Sequence, residues 1–205
     1  MTVNDFANTY GVYAKNSEAQ TNVPFLATLA QAALESAWGK HAPGNNFFGI
    51  KADSSWSGDT QTLNTHEVIN GVSTPTTALF RKYATPEDSF IDHGNFLQQN
   101  SRYADAFNAT NATDFINAIA AAGYATDPNY ASKLNKISDM LQGNDLIASI
   151  IHNTGDILGG VVDDAGNAIG INTAGLTDNP IMLFLIIGTV VGFFLNKKYK
   201  FIKNG

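Results

Sequence analysis

Glu35 stands in "AALESAWGK" (residues 32–40), a run of Ala, Leu and Trp that otherwise reads as protein interior. A lone helical glutamate is ordinarily a solvated surface acid. In this setting an apolar wall and the negative potential of a helix C-terminus both disfavour the carboxylate and raise the carboxyl pKa. Such a group keeps its proton near neutrality, as a general acid must.

The other chemistry-bearing residues exclude much else. The chain has no cysteine, and His41, His66, His93 and His152 are scattered without a spacing that builds a metal site. No GxSxG elbow and no Walker sequence occurs. Asp92-His93 has the composition of a dyad, but neighbours on a helix do not face each other, so the pair is expected to cap or brace the core. No metal and no cofactor is expected.

The elements that must position Glu35 follow from local signals. Thr21 or Asn22 is expected to cap a helix with Pro24 in its first turn, and Gly39 to end it. Leu26, Leu29, Ala30, Ala33, Leu34 and Ala37 make its core stripe at three-and-four spacing. Glu35 then lies at the border of that stripe with Trp38 one turn on. Asn70-Gly71 marks a hairpin turn, and beside it Glu67 reads on spacing alone as a surface acid. Asn45, Asn46 and Phe47 belong to a tight turn with Phe48 buried and Gly49 allowing close approach. Asp127 is placed to cap a helix opened by Pro128, between Tyr124 and Tyr130.

The chain of 205 residues divides into three parts. Residues 1–142 alternate helical patterns with turn clusters and form the globular part. Residues 143–179 hold seven glycines and five aspartates with no Lys or Arg, which reads as a linker. Its first half keeps a helical apolar spacing (Leu146, Ile147, Ile150, Ile151, Ile157, Leu158) that suits docking either on the domain or on a membrane surface. Residues 180–202 contain "IMLFLIIGTVVGFFL" followed by a lysine cluster. The eighteen uncharged residues between Asp178 and Lys197 reach roughly 27 Å as a helix, close to a hydrocarbon core of about 30 Å. A transmembrane helix with its basic end on the cytoplasm-like side is expected. The net charge of −6 argues against a nucleic-acid partner.

The run "AQAALESAWGK" continuing into "APGNNFFGIKA" resembles the bacterial and phage endo-beta-N-acetylglucosaminidases that cut peptidoglycan. This is the flagellar-muramidase-like group, glycoside hydrolase family 73, within the lysozyme-like superfamily. "THEVINGV", "LFRKY", "PEDSFIDHGNFL" and "AGYATDPNYASKLNKI" match further segments in the same order, so that the resemblance covers about residues 20 to 141. It implies a mainly α (α+β) lysozyme-like helical domain with a small β-hairpin lobe, about residues 59–80, over a groove that carries Glu35. By the same resemblance Glu35 is the catalytic acid and Glu67 the second carboxylate, and a tyrosine of the "GYATDPNY" segment supports the cleaved sugar. Tyr124 is the first choice for that tyrosine, with Tyr130 the alternative or a core residue. Asn46, Phe47 and Tyr83 are candidate substrate-binding residues, Asn46 standing equally for N-acetyl recognition and for a structural turn.

The implied reaction is hydrolysis of the bond between GlcNAc and MurNAc in peptidoglycan glycan strands. The alternatives are a lytic transglycosylase or muramidase cutting the other glycosidic bond, and a peptidoglycan-binding membrane protein without catalysis. The first residues show no basic-then-apolar leader pattern. With the apolar run 181–195, this leads to the expectation of a hydrolase held in the lipid membrane of a virus particle for wall penetration, a host envelope being the alternative.

Overall fold

The computed structural model describes residues 1–69, 72–148 and 150, with side chains from 66 to 73 left aside. The expected linker beyond residue 151, His152, the transmembrane segment 180–202 and its basic tail, and the Asn70-Gly71 turn lie outside the described residues. The first unit runs from Met1 to Ile151.

Among the described residues five α-helices and one hairpin, followed by a short helical stretch at 145–148, build it. Helix α1 (Val3–Thr21) opens on a capping box in which Thr2 Oγ1 accepts from Asp5 N at 3.1 Å and Asp5 accepts from Thr2 N at 3.0 Å. Asn22, in the left-handed region at φ 56°, closes α1 instead of opening the next helix. Helix α2 (Phe25–Glu35) starts after Pro24 with no side-chain cap of its own. A glutamate from α1 takes that role, because Glu18 Oε1 accepts from Phe25 N at 3.1 Å. Thr21 and Asn22 therefore do not cap α2, as local sequence suggested; one orphan donor of its first turn is met from the neighbouring helix.

Helix α2 is the axis of the domain. Phe25 to Ala33 are buried without exception, so the expected stripe is a helix buried all round. Its alanines let α1 and α5 (Tyr130–Gln142) approach on different sides, and α4 (Ala112–Ala121) closes the packing. Helix α3 (Pro86–Gln99) crosses α1 where Gly94 meets Thr21; a Cβ on Gly94 would stand 2.3 Å from Thr21 Oγ1. A 3₁₀ turn (Ser101–Asn108) joins α3 to α4. Phe6, Leu29, Phe90, Leu97, Phe115, Ile119 and Leu134 fill the core. Ile147 and Ile150 join it, and Asn144 Nδ2 donates to Asn4 Oδ1 at 3.0 Å, so this end of the described chain docks on α1.

The sheet is one antiparallel hairpin, β1 (Thr60–Ile69) with β2 (Val72–Arg81), within a residue of the expected lobe. The register pairs Gln61 with Phe80, Thr65 with Thr76 and Glu67 with Thr74. Glu67 thus has the parity of Gln61, Leu63 and Thr65, the less exposed positions of β1, and lies toward the far end of the hairpin. Among the described residues no helix is long and apolar enough to cross a membrane.

Candidate active site

The C-terminus of α2 fixes where Glu35 points. Trp38 N donates to Ala33 O at 2.7 Å and Ala37 N to Leu34 O at 3.3 Å, the two bonds of a Schellman motif. The left-handed position after the helix falls on Ala37 (φ 50°) and the next on Trp38 (φ 59°), before Gly39 (φ 74°). Two side-chain-bearing residues in this region cost roughly 1–2 kcal/mol each. Ser36 braces the turn, accepting from Gly39 N at 2.8 Å. The helix stops at Glu35, and in the turn beyond it Trp38 packs edge-on against Phe6 at 5.6 Å.

Tyrosines supply the wall. Tyr130, the first residue of α5, donates its hydroxyl to Glu35 Oε1 at 2.9 Å, and Gln31 Nε2 donates to the Tyr130 oxygen at 3.2 Å. Tyr124 stacks on Tyr130 with ring centroids 5.7 Å apart. Solvent reaches the Glu35 side chain, yet protein crowds it closely enough that burial raises its pKa above the usual glutamate value; the Tyr130 hydrogen bond opposes that rise. Burial, then the charge of Glu35, raises the Tyr124 phenol, and burial with Tyr124 and Glu35 beside it raises the Tyr130 phenol. Both phenols are thereby held in their protonated form, and Tyr130 is the one that donates to Glu35.

The aromatic wall continues to the root of the hairpin. His93 lies edge-on to Tyr124 at 6.2 Å and stacks on Phe48 at 3.9 Å. It is fully buried without a hydrogen-bond partner among the described residues, and burial pushes its pKa down to about 3, so it is a neutral core ring. Its neighbour Asp92 accepts Arg81 Nη1 at 3.0 and 2.9 Å and the Tyr83 hydroxyl at 2.7 Å. The Arg81 guanidinium lies 4.6 Å from the Trp56 ring centroid. Asp92 and His93 thus do face different partners: one fastens β2 to α3, the other fills the core.

The remaining candidates are set deeper. Asn46, 4% exposed, donates to Ile50 O and Arg81 O at 2.9 Å each and accepts from Ile50 N at 3.1 Å. Its amide ties the 43–50 loop to the hairpin stem. Phe47 packs between Tyr10 and Phe90, at 4.8 and 5.4 Å. Tyr83 is buried with its ring edge-on to Trp56 at 5.7 Å. Asp127 accepts from Asn129 N at 2.9 Å and pairs with Lys133 at 2.5 Å. It does not cap α5, whose N-cap is Asn129, because Pro128 and Asn129 form a turn before the helix begins. Glu67 is placed by its backbone alone. A hollow of about 490 Å³ lined by Tyr10, Lys40, His41 and Phe47 does not include Glu35. No cluster of three metal-binding side chains occurs among the described residues.

Two contributors were missed in the sequence, Gln31 and Arg81. Gln31 is four residues before Glu35 on a helix of apolar residues, and that spacing was the available signal. Arg81 sits in "LFRKY", where nothing local distinguishes it from Lys82.

Residues 11–143 match the profile of the glucosaminidase family, described as mannosyl-glycoprotein endo-beta-N-acetylglucosaminidase. Peptidoglycan hydrolase FlgJ of Vibrio cholerae is 41% identical over 144 residues, covering 67% of this chain and 43% of that protein. Exo-glucosaminidase LytG of Bacillus subtilis is 37% identical, covering 54% and 41%. The glycoside hydrolase domain of Salmonella typhimurium FlgJ superposes with a TM-score of 0.61 at 33% identity, over 77% of this chain and 98% of that one. The chain thus spans less than half the length of these two curated relatives.

Proposed function

The chain belongs to the glucosaminidase family, and on that premise we propose that it is a peptidoglycan hydrolase cleaving the β-1,4 bond between GlcNAc and MurNAc. The observation that carries the reading is Glu35: its pKa is raised by burial, one oxygen is held by Tyr130, and Oε2 has no hydrogen-bond partner among the described residues. In the proposed reaction Glu35 gives its proton to the glycosidic oxygen as the C–O bond breaks. The leaving sugar departs as an alcohol, and positive charge develops at the anomeric carbon. Water then adds to that carbon and returns a proton to the carboxylate. Glu67, toward the far end of the hairpin, is the proposed second carboxylate, and Tyr124 is proposed to form the wall against which the cleaved sugar rests, with the buried Tyr130 behind it holding Glu35. Asn46, Phe47 and Tyr83 support this groove from behind.

The test is product analysis on purified walls. A new reducing GlcNAc end is the expected product. Anhydro-MurNAc ends identify a transglycosylase, reducing MurNAc ends a muramidase, and retention on the wall without cleavage a binding module. Residues 180–202 are proposed to hold the enzyme in a lipid membrane, that of a virus particle before a host envelope. The apolar run and the lysine cluster support attachment. Detergent fractionation of particles and host membranes tests it, and recovery only from host membranes rules out the particle.

A further inference from the structure

Gln31 is 0% exposed and cannot touch a substrate, yet its amide reaches the site through one intermediate. It donates to Tyr130, and Tyr130 donates to Glu35. A phenol has a single proton, so the direction of that proton decides what Glu35 experiences. With Nε2 of Gln31 on the phenol oxygen, the hydroxyl hydrogen is sent to Oε1 of Glu35. The opposite polarity turns the hydroxyl toward a Gln31 oxygen, and Oε1 of Glu35 must then carry its own proton to reach the phenol. That proton is spent inside the protein. The Oε1 of Gln31 is buried without a partner among the described residues, so the amide gives up one hydrogen bond while Nε2 makes its bond to Tyr130.

We propose that Gln31 is a positioning residue for the general acid: it directs the Tyr130 hydroxyl onto Oε1 of Glu35 and thereby leaves Oε2 to carry the proton delivered to the leaving group. The proposal rests on the reading of Glu35 as general acid. The groups that bear on Glu35 are few. Tyr130 from α5 and Tyr124 from the segment after α4 face it, and Tyr103 of the 3₁₀ turn stands beyond Tyr124 at 5.9 Å between ring centroids. No lysine, arginine or histidine pairs with it among the described residues. The hydroxyl bond from Tyr130 is the contact that favours its carboxylate.

The test reads the Glu35 carboxyl directly, by ¹³C NMR titration of glutamate-labelled full chain, with Glu35→Gln to assign the signal. Gln31→Met keeps the volume, removes the donor and leaves no polar atom unpaired, so the fold is retained. The phenol is freed, its bond to the carboxylate weakens, and the Glu35 pKa rises by about half to one unit. In a Tyr130→Phe background Gln31→Met has no additional effect, which a packing role would not produce. On walls, kcat falls about tenfold with KM unchanged, and the basic limb of the rate profile moves up with the carboxyl. An unshifted Glu35 signal in Gln31→Met, or an equal shift with Tyr130 already removed, overturns the proposal. Failure of the wild-type chain to cleave walls while the carboxyl still responds overturns the hydrolase reading instead.

Discussion

Replacing Asp92 by Ala should unfasten the hairpin from the helical body. Asp92 is a single carboxylate that receives Arg81 through both oxygens and the Tyr83 hydroxyl, with Arg81 and Asp92 side chains only 9% and 19% exposed. Once it is gone, the guanidinium remains beside Trp56 and Phe96 with no ion-paired carboxylate among the described residues, Asp53 acting on it only through space, and its Nε already lacks a partner there. Breaking a buried pair costs about 3–5 kcal/mol, and the partial exposure of Asp92 puts this one at the low end, about 3 kcal/mol. With a urea dependence of roughly 1.5–2 kcal/mol per molar for a domain of this size, the unfolding midpoint falls by about 1.5–2 M. Asp92→Asn keeps an acceptor for Tyr83 and should lose about half as much. The double change Arg81→Met with Asp92→Leu removes both charges and regains most of the loss. A midpoint for Asp92→Ala within about 0.3 M of the parent, or a double variant as weak as Asp92→Ala, refutes the idea that charge holds this junction.

Glu35→Gln keeps volume and the Tyr130 contact but has no proton to give, so wall-degrading activity falls at least on the order of 100-fold; more than a tenth of the activity remaining sinks the assignment. The same variant should be more stable than the parent at pH 7. A carboxyl with a raised folded pKa binds its proton more tightly in the native state, so its cost appears as pH rises above the unfolded value of 4.5; the two melting curves should converge below about pH 4. His93 has the opposite sign. Its folded pKa near 3 lies below the ordinary 6.5, so the unfolded state takes the proton first and stability is lost as pH falls through that window. His93→Phe should flatten this acid loss, and an unchanged pH–stability slope would show that the ring is solvated. Ala37→Gly relieves the left-handed position two residues after Glu35 and should add about 0.5–1 kcal/mol, read as an upward shift of the thermal midpoint.

The parts legible in the sequence are those whose cause is local. Asn70-Gly71 is a turn dipeptide in a segment for which the family resemblance implies a hairpin lobe, and Glu35 is distinguished by its apolar neighbours and its place near a helix end. What escaped was set by residues distant in sequence. Asn22 and Thr21 have N-cap chemistry, but a glutamate from the preceding helix was already in place to serve α2, so they close α1 instead. The helix is expected to run to Gly39, and nothing in Ser36-Ala37 announces a left-handed turn on residues with side chains. Tyr124 and Tyr130 have equal standing in "GYATDPNY"; which of them holds the acid is decided by the two-residue turn at Pro128-Asn129, which starts α5 on Tyr130 and brings its hydroxyl opposite Glu35. Gln31 is the sharpest case. A glutamine among alanines reads as a polar break in a core stripe, and its meaning appears only when α5 supplies the phenol between it and Glu35. The candidate acid is therefore marked by its neighbours in sequence together with the family resemblance, whereas the hydrogen bonds that reach it belong to the packing of α2 against α5.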